Sequence, residues 1–508
     1  MRRSMNTPGR ASVLAFWGLA GWLLPLIVVF LLTPRLLHLL GPERFGILMI
    51  VLITPTIASQ LDFGLGLSAV RRLAADLTQG QIDGARILFS YTVAFCAIAL
   101  LFGTLVAWGS QWLAETLGFS ALLGTEAARE LTLRCALWGA VGLATATPFV
   151  VARAAQSFAW LTAVQTFATV ALWVGALLLI SARHPLRDIV VLGILVSAFS
   201  AALMAFAVRG AVRCDGPLSM QMSIPTQDLR FASGMFVAQL ASAIAYQADR
   251  ILISSIGSPA IAGTYVLCAN LANKPLAAVV ALTSFAFPRA SGMHSSGARD
   301  ELGALLQALD RAVAALVIPL LLPALWLAHP FLKLWLGAYG TPELALAFQV
   351  LLIAFAVPAF AVPVGHVLAA SGRSGPAARF SWLTAGVVVV GIVVLVPSYG
   401  LLGAVAAILA AMSTSLSFSI FARRALGLQR PKGQLRFWAG VSLGVVTQIG
   451  VLFVLARLVT GWWSLALVGA AGWTAFFVVR VILQMLSPEE IRLLDRLRKI
   501  MTSASRKH

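Results

Sequence analysis

The chain has 508 residues, of which 60% are hydrophobic and only 11% are charged, and its formal net charge is +19. Soluble domains carry about 25% charged residues, so this composition excludes a soluble globular protein, a disordered chain and a secreted disulfide scaffold. The sequence therefore predicts a membrane protein that crosses the bilayer many times.

Apolar runs follow one another along the whole chain, separated by sparse charges and turn residues. A helix needs about 20 apolar residues to cross about 30 Å of hydrocarbon. We therefore predict an all-α integral membrane fold of about 14 transmembrane helices, in which the longest connection covers residues 111–130 and no soluble catalytic domain fits. The predicted spans are 11–37, 43–70, 86–110, 130–154, 158–181, 188–209, 231–256, 259–288, 302–328, 343–371, 376–397, 400–422, 434–458 and 461–486.

The positive charges indicate the orientation of these spans. Arg2, Arg3 and Arg10 precede an apolar run that continues to about residue 32, which is too long for a signal-peptide core and is read as an uncleaved first span. Most Lys and Arg residues then fall on the same side as the N-terminus, as the positive-inside rule requires. Both termini are therefore expected in the cytoplasm, and the charge is not read as a nucleic-acid-binding surface.

Two similar segments, LGPERFG at 40–46 and IGSPAIAG at 256–263, suggest an internal repeat six spans long. Such repeats are typical of transporters built from two related bundles. We predict an N-lobe at 1–210 with spans 1–6, a cytoplasmic linker at 211–230 and a C-lobe at 231–424 with spans 7–12. Two further spans occupy 425–486, and residues 487–508 are read as a basic amphipathic cytoplasmic tail, with an ordinary solvated tail as the alternative.

Ionisable residues inside predicted spans are the strongest functional signal, because each costs a few kcal/mol or more at bilayer depth. Lys274 lies near the middle of its span, which makes it the best candidate. It is read either as a ligand for an anionic group or as a buried ion pair with Asp62 or Asp249. The candidate headgroup-binding residues are Lys274, Arg250, Arg35, Arg311, Arg153, Asn270 and Asn273, and the candidate coupling or structural carboxylates are Asp62, Asp249 and Asp310.

The five cations of this set outnumber its three carboxylates, so a cavity that they line would be net positive and would suit a phosphate or diphosphate. The histidines show no metal-ligand spacing, and there is no phosphate-binding loop or nucleophile motif. An enzyme, a metal site and a cofactor are therefore not expected, and proton or sodium coupling is left open.

Several runs resemble the bacterial polysaccharide-biosynthesis flippases of the O-antigen type. They are LGPERFG at 40–46, LDFGLG at 61–66 and RRLA at 71–74, and then YQADRILI at 246–253 with Gly257, GTY at 263–265 and FP at 287–288. This family belongs to the superfamily that also contains lipid II flippases and multidrug and toxin extrusion pumps. The resemblance implies a fold of two six-helix lobes that works by alternating access.

The resemblance also implies a cargo and a location. An undecaprenyl-diphosphate-linked oligosaccharide would move from the cytoplasmic to the periplasmic leaflet of the bacterial inner membrane, for O-antigen, capsule or exopolysaccharide synthesis. A polysaccharide polymerase and a chain-length regulator are candidate partners. The alternatives are a lipid II-type peptidoglycan precursor flippase, a multidrug cation antiporter and, from another class, a membrane polymerase or ligase. The sugar and the oligomeric state are not determined by the sequence.

Overall fold

The computed structural model describes residues 8–79, 84–209, 224–283, 286–295, 298–371, 375–427, 434–486 and 491. Every regular element in these ranges is a helix, as the composition predicts. Most of the predicted linker (211–230) and almost all of the predicted tail (487–508) lie outside the described residues. The chain divides into two compact units, residues 1–263 and 264–508. The lobe boundaries drawn from the repeat stay predictions.

The first unit contains eleven helices and the start of a twelfth. They are α1 (Pro8–Gln60), α2 (Leu65–Gln79), α3 (Gly84–Trp108), α4 (Ser110–Thr116), α5 (Phe119–Leu123), α6 (Thr125–Ala144), α7 (Thr147–Ala154), α8 (Phe158–Ser181), α9 (Leu186–Val208), α10 (Thr226–Tyr246), α11 (Ala248–Ile256) and α12 (Pro259–Ala272), which continues into the second unit. Within the first unit α1 packs on α6 and α8, α3 packs on α6, and α8 and α6 both pack on α9.

The second unit continues from α12. Its helices are α13 (Lys274–Thr283), α14 (Ala286–Ser295), α15 (Arg299–Trp326), α16 (Ala328–Leu336), α17 (Pro342–Ala359), α18 (Val362–Ala370), α19 (Gly375–Ala425), α20 (Gln434–Leu455) and α21 (Trp462–Ile482). Here α17 packs on α19, α20 packs on α21, and α15 contacts α17, α20 and α21.

Eleven helical segments of the described chain are long and apolar enough to cross a membrane. Two of them are much longer than one crossing: Leu24–Gln60 has 37 residues and Gly375–Ala425 has 51. A straight helix of 51 residues would be about 77 Å long, more than twice the hydrocarbon thickness. The backbone is non-helical within each, at Gly41 (φ 73°) and Gly400 (φ 53°), so each long helix is broken where the sequence predicts a gap between two spans.

The predicted seventh span corresponds to α10 and α11, which are not among those eleven segments and are separated by a break at Gln247 (φ −134°). The count of fourteen spans therefore stays a prediction. The predicted connection at 111–130 is wrong as a loop: it forms α4, α5 and the first turns of α6. These short helices form because Ser110, Ala114 and Phe119 are buried.

A buried polar side chain in the second unit compensates for a proline inside a span. Pro323 has no N–H to donate to the carbonyl of Pro319 four residues earlier in α15. The Gln448 side chain from α20 donates to that carbonyl instead, with 2.8 Å between its Nε2 and the Pro319 oxygen, and Gln448 is fully buried. The freed backbone group is thus satisfied by a neighbouring helix, as lipid surroundings require.

Candidate functional site

A cavity of about 840 Å³ lies inside the first unit. It is lined by residues of α1, α6, α7, α8 and α9, with single residues from α2 and α3, and it is open on one side. Most of its polar lining residues lie on α1 and α8. The polar and charged lining residues are Thr56, Ser59, Asp62, Arg153, Thr162, Gln165, Thr166, Thr169 and Ser197.

The α8 side of the cavity is a polar stripe on an otherwise apolar span. Thr162, Gln165, Thr166 and Thr169 recur at intervals of three and four residues, which places them on one face of the helix. The rest of α8 is apolar, and its 24 residues form one of the candidate membrane spans. Thr166 Oγ1 is buried and has no hydrogen-bond partner among the described residues. The polar face of α8 is therefore turned to the cavity.

The facing part of α1 continues this polar surface. Thr56 and Ser59 lie one turn apart at the end of α1, and the Ser59 hydroxyl donates to the Thr56 carbonyl at 2.7 Å. Pro55 precedes them in the helix and also lines the cavity. The carboxylate of Asp62 follows, two residues beyond the end of α1.

Asp62 lies between α1 and α2, where its carboxylate caps the second helix. Its carboxylate accepts hydrogen bonds from the backbone N–H groups of Gly64 (2.8 Å) and Gly66 (3.0 Å), so that it caps the start of α2. Phe63 and Gly64 both have positive φ, 53° and 74°. A Cβ on Gly64 would collide with the Ala232 carbonyl of α10, so glycine is required for both its conformation and its space.

Arg153, near the end of α7, supplies the positive charge of the cavity and is close enough to Asp62 for the two charges to interact. Within the described part of the lining, Asp62 and Arg153 are the charged residues, and their formal charges cancel. Both belong to the predicted site, so the structure brings together one candidate cation and one candidate carboxylate that are 91 positions apart in the sequence.

Two tryptophans, Trp138 and Trp173, contribute to the apolar lining of the cavity. The Trp138 indole N–H donates to Ser197 at 2.9 Å, and its ring packs against Gly193, where a Cβ would lie 2.5 Å from the ring. Trp173 lies one turn beyond the polar stripe of α8, beside Leu172. This part of the lining combines buried aromatic surface with a fixed hydroxyl group.

Other predicted site residues lie at breaks between helices. Lys274 is the first residue of α13, after a break at Asn273, and Pro275 explains the break because it has no N–H to continue α12. Lys274, Asn273 and Asn270 are all half-buried. Asp249, only 4% exposed, is the second residue of α11, after the break at Gln247, and its carboxylate accepts from the backbone N–H of Arg250 at 2.9 Å.

The remaining predicted residues are placed separately. Arg35 is exposed on α1, and Arg311 is half-buried on α15. Asp310, next to Arg311, forms a two-pronged ion pair with Arg423 of α19, and both N–O distances are 2.9 Å. Asp310 is therefore paired within the second unit, and both the structural and the coupling role stay predictions for it.

Sequence reasoning missed the polar stripe of α8, although its signal is present: four hydroxyl and amide residues share one helical face within an apolar span. In the described part of the chain, no three His, Cys, Asp or Glu side chains are placed to hold a metal ion.

Residues 36–345, more than half of the chain, match the family described as "Polysaccharide biosynthesis protein". The chain belongs to this family. The resemblance drawn from the motifs is thereby confirmed.

The fold is similar to solved transporters of the MOP superfamily. The lipid II flippase MurJ in an inward closed conformation has a TM-score of 0.69 and 14% identity, covering 93% of this chain and 99% of its own. An inward-facing MATE-family multidrug resistance transporter has a TM-score of 0.64 and 10% identity, with 80% and 98% covered. A MOP transporter from Pyrococcus furiosus has a TM-score of 0.53 and 11% identity, with 83% and 95% covered. No curated protein sequence matches the chain. At these identities the likeness shows the fold, and the predicted MurJ- and MATE-like architecture is confirmed.

Proposed function

We propose that this polysaccharide-biosynthesis family member is a flippase for an undecaprenyl-diphosphate-linked oligosaccharide. It would carry one repeat unit from the cytoplasmic to the periplasmic leaflet of the bacterial inner membrane, and it would act as a transporter and not as an enzyme. The family match over residues 36–345 is the observation that carries this proposal. The MurJ-like and MATE-like fold supports it, because this fold is found in a lipid flippase and in solute transporters.

The charges of the spans support an anionic cargo. Lys274 lies within the candidate span Pro259–Thr283, and Arg311 lies within Asp300–Trp326. A cation at this depth is costly unless it has a partner or a task, and a diphosphate is a matching partner. In the proposed cycle these two residues attract the diphosphate from the inner leaflet, and Arg250 and Arg35 receive it on the outer side.

The proposal needs no cofactor, because the membrane potential favours outward movement of an anion. Each elementary charge that crosses 100 mV gains about 2.3 kcal/mol. A diphosphate with about two charges would therefore gain about 4–5 kcal/mol, less the contribution of any protein charge that moves with it. Coupling to a proton or to sodium would be an addition to this mechanism.

Mass spectrometry of lipid-linked oligosaccharides in a strain with the gene disrupted tests the proposal. We expect a complete undecaprenyl-diphosphate repeat unit to accumulate while the polymer disappears from the cell surface, and both changes to be reversed by the wild-type gene. Intact surface polymer without accumulation would refute the proposed function.

A lipid II-type precursor flippase is the second candidate, and the similarity of the fold to MurJ favours it. The same experiment separates the two candidates. Disruption of a peptidoglycan precursor flippase would be lethal and, in a depletion strain, would enrich the peptidoglycan precursor. A multidrug cation antiporter is less well supported, because Arg153 offsets the charge of Asp62 in the cavity of the first unit.

A further inference from the structure

We infer that the cavity of the first unit receives the sugar residues of the cargo, as a saccharide subsite distinct from the four cations to which the proposed cycle assigns the diphosphate (Lys274, Arg311, Arg250 and Arg35). This inference rests on the proposed function for the identity of the cargo. The site itself is defined by the polar stripe of α8, the end of α1, and the lining residues Asp62 and Arg153.

The polar stripe needs a polar occupant. Hydroxyl and amide groups inside a membrane span are costly to bury without hydrogen-bond partners. Thr166 Oγ1 has none among the described residues, and Gln165 keeps an exposed side chain on the same face. The hydroxyl groups of a sugar meet this requirement, because they donate and accept hydrogen bonds as Thr and Gln side chains do.

The charge of the lining selects against the other ligands considered for this fold. Among the lining residues that the structure describes, Asp62 and Arg153 are the charged ones, and their opposite formal charges cancel. A diphosphate would require an excess of cations, and an organic cation would require an excess of carboxylates. A neutral polyhydroxyl group is the ligand class that matches a charge-balanced cavity rich in hydroxyl groups.

The size and the apolar lining of the cavity fit the same class. Its volume of about 840 Å³ falls within the range of about 300–1,000 Å³ that is usual for small-molecule sites, so it suits a few sugar residues and not a polymer. Trp173, Leu172 and Phe149 supply apolar surface beside the polar stripe. Sugar rings combine apolar C–H faces with polar edges, and this lining offers a surface for each.

Direct binding to the purified full-length protein in lipid nanodiscs tests the inference. One probe is the free repeat-unit oligosaccharide, released by mild acid from the lipid-linked intermediate of the host strain and selected for neutrality. The other probe is undecaprenyl diphosphate. We expect Gln165→Leu and Thr162→Val each to weaken oligosaccharide binding by about fivefold or more, the effect of one lost hydrogen bond. Binding of undecaprenyl diphosphate should stay at the wild-type level.

The controls are matched in chemistry and lie outside the cavity. Gln111→Leu removes an exposed amide on α4, and Thr447→Val removes an exposed hydroxyl on α20 that donates to its own helix. Both should bind the oligosaccharide as the wild type does. Thr162→Ser, which keeps the hydroxyl, should retain binding even if Thr162→Val proves unstable.

The results separate this inference from the function on which it rests. Wild-type protein that binds undecaprenyl diphosphate but not the free oligosaccharide would overturn the saccharide subsite, and so would unchanged oligosaccharide binding in both cavity variants. Neither result would affect the flippase proposal, which fails only if gene disruption leaves lipid-linked oligosaccharide levels and surface polymer unchanged.

Discussion

Gly46 and Gly263 lie backbone to backbone in the first unit. A Cβ on Gly263 would fall 2.5 Å from the Cα of Gly46 and 2.8 Å from its nitrogen, and a Cβ on Gly46 would collide with the carbonyl oxygen of Pro259. Both glycines lie within helices, so glycine is required at these positions because there is no room for a side chain and not because of the backbone conformation. They belong to the two segments, 40–46 and 256–263, whose similarity suggests the internal repeat. The two segments therefore contact one another in the folded unit.

This contact predicts that Gly46→Ala and Gly263→Ala destabilise the protein. Insertion of a methyl group into a fully packed contact typically costs about 1–3 kcal/mol. The thermal midpoint of the purified protein, followed by size-exclusion recovery after heating, should therefore fall for both variants. Gly386→Ala is the matched control, because no atom lies within 4 Å of its Cβ position. If both contact variants kept the wild-type thermal midpoint, that result would contradict the close approach of Gly46 and Gly263.

Lys274→Ala should abolish polymer export while the protein accumulates to its normal level. Loss of a charged hydrogen-bond donor weakens binding of an anion by about 10- to 100-fold, and the lysine lies within the candidate span Pro259–Thr283. Surface polymer and lipid-linked intermediates are the measurements. Lys333→Ala, which changes an exposed lysine on α16, should export normally. Normal export by Lys274→Ala would remove this residue from the proposed mechanism.

Asp310→Asn should lower the thermal stability of the protein, because it leaves the Arg423 guanidinium without its carboxylate partner. Hydrogen bonds to charged groups contribute about 1.5–3 kcal/mol, and a loss in this range is expected. Asp310→Asn combined with Arg423→Gln should recover part of that stability, whereas Arg424→Gln at the exposed neighbouring position should have little effect.

Export by the double variant distinguishes the two roles proposed for Asp310. Restored export, together with restored stability, agrees with a purely structural ion pair. A double variant that is stable but unable to export would instead assign a coupling role to Asp310.

Gln448→Leu should also destabilise the second unit. The substitution removes the donor to the Pro319 carbonyl, at 2.8 Å in the structure, and leaves that oxygen unsatisfied among apolar helices. An unsatisfied buried acceptor costs about 1–3 kcal/mol. Thr447→Val, at the adjacent half-buried position, should leave the thermal midpoint unchanged, since its hydroxyl donates to the Leu443 carbonyl of its own helix. Equal midpoints for the two variants would contradict the role assigned to Gln448.

Hydropathy and turn residues were sufficient to place most of the helices. The gap predicted after residue 37 contains the break at Gly41, and the gap predicted between 397 and 400 adjoins the break at Gly400. These features are local, because a span in lipid must satisfy its backbone hydrogen bonds within itself, and glycine and proline are the residues at which a helix is most readily interrupted. The connection at 111–130 was misjudged, because its short helices depend on burial against neighbours.

Local sequence patterns could not predict which distant side chains contact one another. Arg153 comes near Asp62 because α7 packs on α2, the helix that Asp62 caps, and Asp310 meets Arg423 across 113 positions of sequence. The residues that belong to membrane spans follow from composition, since transfer into lipid depends on each segment separately. Which polar groups share a cavity and which neutralise each other depends on helix packing between distant segments, and this is decided only in the folded protein.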